Sequence, residues 1–137
     1  MSYFDEEIIQ DFKKINANLI ILPEIEHDRI VDAINERLPF SGSQIAWSSL
    51  RDSTYLGTTE SQGALESLAT KIKLVSGGYI NIVGDSTDFA YSTNINNILL
   101  ALQIFSTIPQ HTYIVSEPIS WIACISFEGH LDFANLY

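Results

Sequence analysis

Trp121-Ile122-Ala123-Cys124-Ile125-Ser126-Phe127-Glu128-Gly129-His130-Leu131-Asp132-Phe133 decides the fold. Trp121, Ala123, Ile125 and Phe127 point one way, and Ile122, Cys124 and Ser126 the other. That period of two predicts a strand. Glu128-Gly129-His130 has the composition of a tight turn. Leu131 to Phe133 then returns as a second strand, which makes the stretch an antiparallel hairpin.

Working back along the chain, His111 to Val115 reads as a neighbouring strand, joined to Trp121 near Glu117-Pro118. Tyr79 to Val83 is a further strand. Phe89 to Tyr91 is its expected partner, across the turn Gly84-Asp85-Ser86-Thr87. Between these pairs lies a helix capped by Thr93 or Asn94 and running through Phe105. Its stripe of Ile95, Ile98, Leu99, Leu102 and Phe105, widened by Leu100 and Ile104, predicts deep burial.

The first half carries the other helices. Residues 3–16 place Phe4, Ile8, Phe12 and Ile15 on one face. Ser2 with Asp5 forms a capping box, acids fill the first turn, and Lys13 and Lys14 lie near the end. After a short apolar segment at Asn18 to Leu22, Pro23 opens a second helix with Ile30, Val31, Ile34 and Leu38 buried, and Pro39 stops it. Short strands are expected at 44–50 and 54–57. Thr59 with Gln62 would cap a third helix through Ile72, and Gly77-Gly78 ends the connection that follows. The sum is an α+β fold: one domain spanning 1–137, with a mostly antiparallel sheet covered on one face by about four helices.

Composition narrows the function. A chain of 137 residues that is 46% hydrophobic can build a core without disulfides or metal. One cysteine excludes a disulfide framework and a cysteine-rich zinc site. The opening MSYFDEEIIQDF puts acids where a secretory signal needs bases, and no stretch approaches the roughly 20 apolar residues of a membrane span. The expected location is the cytoplasm. Seventeen acids face seven bases, for a net charge of −10. Nucleic acid and anionic membranes would be repelled, and a basic partner attracted. All seven bases lie between Lys13 and Lys73. From Leu74 onward there are none, while Asp85, Asp88, Glu117, Glu128 and Asp132 remain. These carboxylates must face bases of the first half, water or a partner.

Catalytic chemistry finds little support. Cys124 with His111 or His130 has the residue types of a thiolate nucleophile and its base, but a mid-strand cysteine with no Lys or Arg nearby reads as a small buried hydrophobe. The three histidines are scattered, no HExxH, CxxC or EF-hand loop is present, and Gly77-Gly78 precedes a strand without a P-loop lysine. The pairs Asp85/Asp88 and Glu128/Asp132 are turn acids. No cofactor and no metal is expected. Tyr79, Tyr91, Tyr113 and Trp121 gather in the same base-free half, where they serve as core rings or binding anchors.

One resemblance is carried by Tyr79-Ile80-Asn81-Ile82-Val83-Gly84-Asp85, Asp88-Phe89-Ala90, the helix, Pro109-Gln110-His111-Thr112-Tyr113, and the terminal Trp121 to Phe133 block. Over residues 79–133 this order resembles small bacterial immunity proteins of contact-dependent growth inhibition and related polymorphic toxin systems. Ala134 departs from the Gly that many of them carry there. The resemblance implies a non-enzymatic protein that binds a cognate toxin domain, often a basic DNase or RNase, and blocks its active site or substrate surface. The expected contact surface is Asp85, Asp88, Glu117, Glu128 and Asp132, with Tyr91 and Tyr113 nearby. The alternatives are an acidic nucleic-acid mimic or adaptor, and a small enzyme using Cys124 or a carboxylate pair.

Overall fold

The computed structural model describes residues 1–136. Ser2 caps α1 (Tyr3–Lys14), its Oγ accepting the Asp5 N–H at 3.1 Å. The chain continues through β1 (Ile20–Ile21) into α2 (Glu24–Arg37), which starts at Pro23 and stops before Pro39. A small hairpin, β2 (Phe40–Ser41) and β3 (Gln44–Ile45), turns at Gly42, whose φ of 66° suits glycine. Of the expected 44–50 strand only Gln44–Ile45 forms, and a 3₁₀ turn follows at Trp47–Ser49. Then come β4 (Asp52–Thr58), α3 (Ala64–Val75), β5 (Tyr79–Gly84) and β6 (Tyr91–Asn94). Asn94 caps a 3₁₀ turn at Ile95–Asn97, which leads into α4 (Ile98–Phe105). The chain closes with β7 (Thr112–Val115), β8 (Trp121–Ile125) and β9 (His130–Asn135).

Seven strands form one sheet in the order β1-β6-β5-β7-β8-β9-β4, with every pairing antiparallel. The fold is α+β. The stretch read first is a hairpin, with Ala123 opposite Phe133 and Cys124 opposite Asp132.

Helices cover both faces of the sheet, not the single face expected from the sequence. On one face Ile80, Ile82, Tyr91, Ile114, Trp121, Ala123, Leu131 and Phe133 pack with residues of α1, α3 and α4. On the other, Val83, Val115, Ile122 and Ala134 pack with Ile30, Ile34 and Leu38 of α2 and Ile45 of the small hairpin. The reason lies in the central strands. Ile114 and Val115, or Ile122 and Ala123, place apolar side chains on both sides, and a strand that is apolar on both faces needs two layers over it. Each large side chain so buried contributes roughly 1.5–3 kcal/mol.

Two local expectations also change. The partner of β5 is Tyr91–Asn94, not Phe89–Tyr91, because Asp5 takes the backbone N–H groups of Asp88 and Phe89 and holds that segment off the ladder. α3 begins after Gly63, at φ 74°, with no side-chain cap, so Thr59 and Gln62 form no capping box. Thr59 instead donates its N–H to Gly129 O at 2.8 Å, fastening the entry to α3 onto the β8–β9 turn.

Candidate functional site at the acidic end of the sheet

The register fixes which loops share an end. Gly84 lies opposite Thr112, Thr112 opposite Ile125, Ile125 opposite Leu131, and Thr58 opposite His130. The β5–β6 loop, the start of β7 and the β8–β9 turn therefore lie at one end of the sheet. Asp85, Asp88 and Glu128, all exposed, come with them. Asp132, half-buried, sits inside this end on β9.

The carboxylate-bearing β5–β6 loop is held from below. Buried Gln110 accepts the N–H groups of Ser86 and Thr87 through Oε1 at 2.9 and 3.0 Å, and donates from Nε2 to Thr112 Oγ1 at 3.0 Å. Asp85 Oδ1 accepts the His111 N–H at 3.0 Å, and Asp85 N–H bonds back to His111 O at 3.2 Å. A loop pinned this way presents its acids with little ordering left to do on binding.

The other expected contact residues divide. Glu117 lies at the opposite end, in the β7–β8 connection, where Arg29 Nη2 of α2 approaches its Oε2 at 2.7 Å. One carboxylate of the base-free half thus finds its cation in the first half of the chain. Tyr91 is a correction: it is 0% exposed and donates its hydroxyl to Asp5, so its ring is a core element and not a surface anchor. Tyr113 is half-buried and lines a cleft on the α2 face.

That cleft, about 290 Å³, is bounded by Gln44 to Trp47 on one side. Its walls include Tyr55, His111, Tyr113, Cys124, Ser126, His130 and Asp132. It brings together the thiol, both histidines and the carboxylate considered for catalysis. Their bonding works against that chemistry. His111 Nδ1 accepts the Phe127 N–H at 3.1 Å, so the ring proton sits on Nε2. His130 Nδ1 pairs with Tyr55 Oη at 2.7 Å. Cys124 is 5% exposed, and burial, then Asp132, Asp85 and Glu128, push its thiol well above the usual range. A thiol held protonated is a poor nucleophile at neutral pH. Burial likewise raises Asp132 above the usual carboxylate range, with His130 opposing it. Burial, with Cys124 and Asp85, pushes the Tyr113 hydroxyl up as well.

Among the described residues, no group of three or more His, Cys, Asp or Glu is placed to hold a metal ion. No helix among them is long and apolar enough to cross a membrane.

Sequence reasoning missed three features of this end. Tyr55, on the edge strand β4, and Phe127 stand exposed there, Phe127 at 60% because β8 stops at Ile125 and the turn swings it out of the alternation. The third is Asp5. Its N–H receives the Ser2 cap as expected, but its carboxylate takes the Ser2 hydroxyl instead of closing a capping box on the Ser2 N–H; it is fully buried and is the acceptor on which the β5–β6 loop hangs. A carboxylate near a helix start looks the same in sequence whether it faces water or another loop.

No protein-family model matches the chain, and no curated protein is significantly similar to it in sequence.

Proposed function

We propose that this chain is an immunity-type inhibitor, acting in the cytoplasm, that binds a basic toxin domain, a DNase or RNase, and covers its active site or substrate surface. It works by binding and catalyses nothing. The observation that supports the reading is the gathering of Asp85, Asp88 and Glu128 on pinned turns at one end of the sheet, with Tyr55 and Phe127 exposed beside them. Surface carboxylates steer a basic partner in, and exposed aromatics beside them supply contact area. The choice of a toxin as the partner comes from the resemblance of residues 79–133 to immunity proteins.

Co-expression tests it. The expected partner is a basic toxin domain encoded in a neighbouring gene: lethal alone, it is tolerated when this chain is present, and the two co-purify. Continued lethality with no recoverable complex overturns the reading.

A further inference from the structure

On the α2 face, a groove of about 730 Å³ runs between α2, the β2–β3 hairpin and the β5–β6 loop. Its size is in the range that takes a ligand or a short peptide segment. Val31, Ile34 and Phe40 give it apolar walls, and Tyr113 separates it from the smaller cleft. Its polar lining is His27, Asn35, Ser43, Asp85 and Thr87, and the last two carry the chemistry. Asp85 uses one oxygen on the His111 N–H and forms no ion pair among the described residues. Thr87 is 6% exposed, and its Oγ1 has no hydrogen-bond partner there. A buried hydroxyl without a partner is costly and marks a place for an incoming polar group.

We propose that this groove receives an arginine side chain on a loop of the basic partner. The inference rests on the inhibitor reading for the partner's basicity, and on the groove alone for the location. Arginine matches the lining part by part. Its methylene stem lies on Val31 and Ile34, its flat cation stacks against Phe40 or Tyr113, its N–H groups reach the Asp85 carboxylate, and a rotation of Thr87 about χ1 turns the sealed hydroxyl towards them. Lysine has the charge but lacks the planar fork and the stacking face. An apolar side chain would leave the carboxylate and the hydroxyl unpaired.

The test titrates three capped tripeptides, Gly-Arg-Gly, Gly-Lys-Gly and Gly-norleucine-Gly, against the isotope-labelled protein and follows its backbone amide resonances. The arginine peptide shifts the amides of Gly42, Gly84 and Thr87 saturably. The lysine peptide binds several-fold more weakly, and norleucine does not saturate. Asp85→Asn keeps the oxygen that receives the His111 N–H and removes the charge, and it weakens the arginine peptide by about tenfold. Phe40→Ala, on the exposed hairpin, weakens it without touching either core. Glu117→Gln, at the opposite end of the sheet and outside the groove, leaves affinity within about twofold. The proposal is overturned by equal shifts from the arginine and lysine peptides across the whole acidic end, by no saturable shift, or by indifference to Asp85→Asn. It is also overturned if Ser43→Trp, which fills the groove, leaves the complex with the toxin domain at full affinity; in that case the inhibitor reading stands without it.

Discussion

Asp5 links the start of the chain to the loop that carries the acidic site. Its carboxylate accepts from Ser2 Oγ, Tyr91 Oη and the backbone of Asp88 and Phe89, the Asp88 bond at 2.7 Å. Burial pushes its pKa up, but the hydrogen bonds from Ser2, Tyr91, Asp88 and Phe89 together outweigh burial and hold it below the usual value. A depressed folded pKa contributes stability that is complete above the unfolded value, about 3.9, and is lost as pH falls through the folded value. Asp5→Ala leaves the Tyr91 hydroxyl and two loop N–H groups without their acceptor, and is expected to cost about 3 kcal/mol at pH 7 by urea denaturation. The gap between wild type and Asp5→Asn should narrow as pH drops below about 4, because protonation removes the same charge from the wild type. A gap independent of pH would show that the charged form is not what the loop requires.

At the scale of elements, the β5–β6 loop is set by a glycine and a glutamine. A Cβ on Gly84 would stand 2.2 Å from the Gln110 amide, which can move only by giving up its bonds to Ser86, Thr87 and Thr112. Gly84→Ala should therefore cost about 2–3 kcal/mol and deprotect the Ser86 and Thr87 amides in hydrogen exchange, with the central strands unaffected. Full protection of those amides in the variant would mean that Gln110 does not hold the loop. Neither residue signals this in the sequence, where Gly84 reads as an ordinary turn glycine. The limit is general to this chain. The hairpin from Trp121 to Phe133 and all four helices were legible, because alternation and helical stripes are local. The place of α2 was not. Its stripe of Ile30, Ile34 and Leu38 says that one side is buried, and only the sheet order says against which face. The same gap hid Tyr91, whose burial depends on Asp5, 86 residues away. It also hid the groove, whose walls come from four separate segments.

For the whole molecule, the helix-end charges add up to a polarity. α1, α2 and α3 all begin at the end of the sheet that holds Asp85, Asp88 and Glu128: Asp5 contacts Asp88, Leu22 N–H bonds to Ala90 O just before α2, and Thr59 N–H bonds to Gly129 O before α3. Acids occupy their first turns, among them Glu6, Glu24 and Glu66, while Lys13, Lys14, Arg37 and Lys73 fall in their last turns. Each placement suits its own helix dipole. In each of the three helices the acids lie at the start, near this end, and the bases in the last turn. The uneven distribution of bases along the chain was visible in the sequence; the meeting of three helix starts at one end of the sheet needed the topology. A polar charge distribution orients a basic partner before contact, and its effect weakens as salt shortens the Debye length. The most direct measurement is the association rate constant with the basic toxin domain at low and high salt for two variants. One is Asp85→Asn/Asp88→Asn/Glu128→Gln at the acidic end, and the other is Glu117→Gln at the far end. The expected result is a loss of about tenfold or more in the first at low salt, shrinking in high salt, with the second within about twofold of wild type. Equal rates for the two variants, or a larger loss at Glu117, would contradict the assignment of the acidic end as the binding surface.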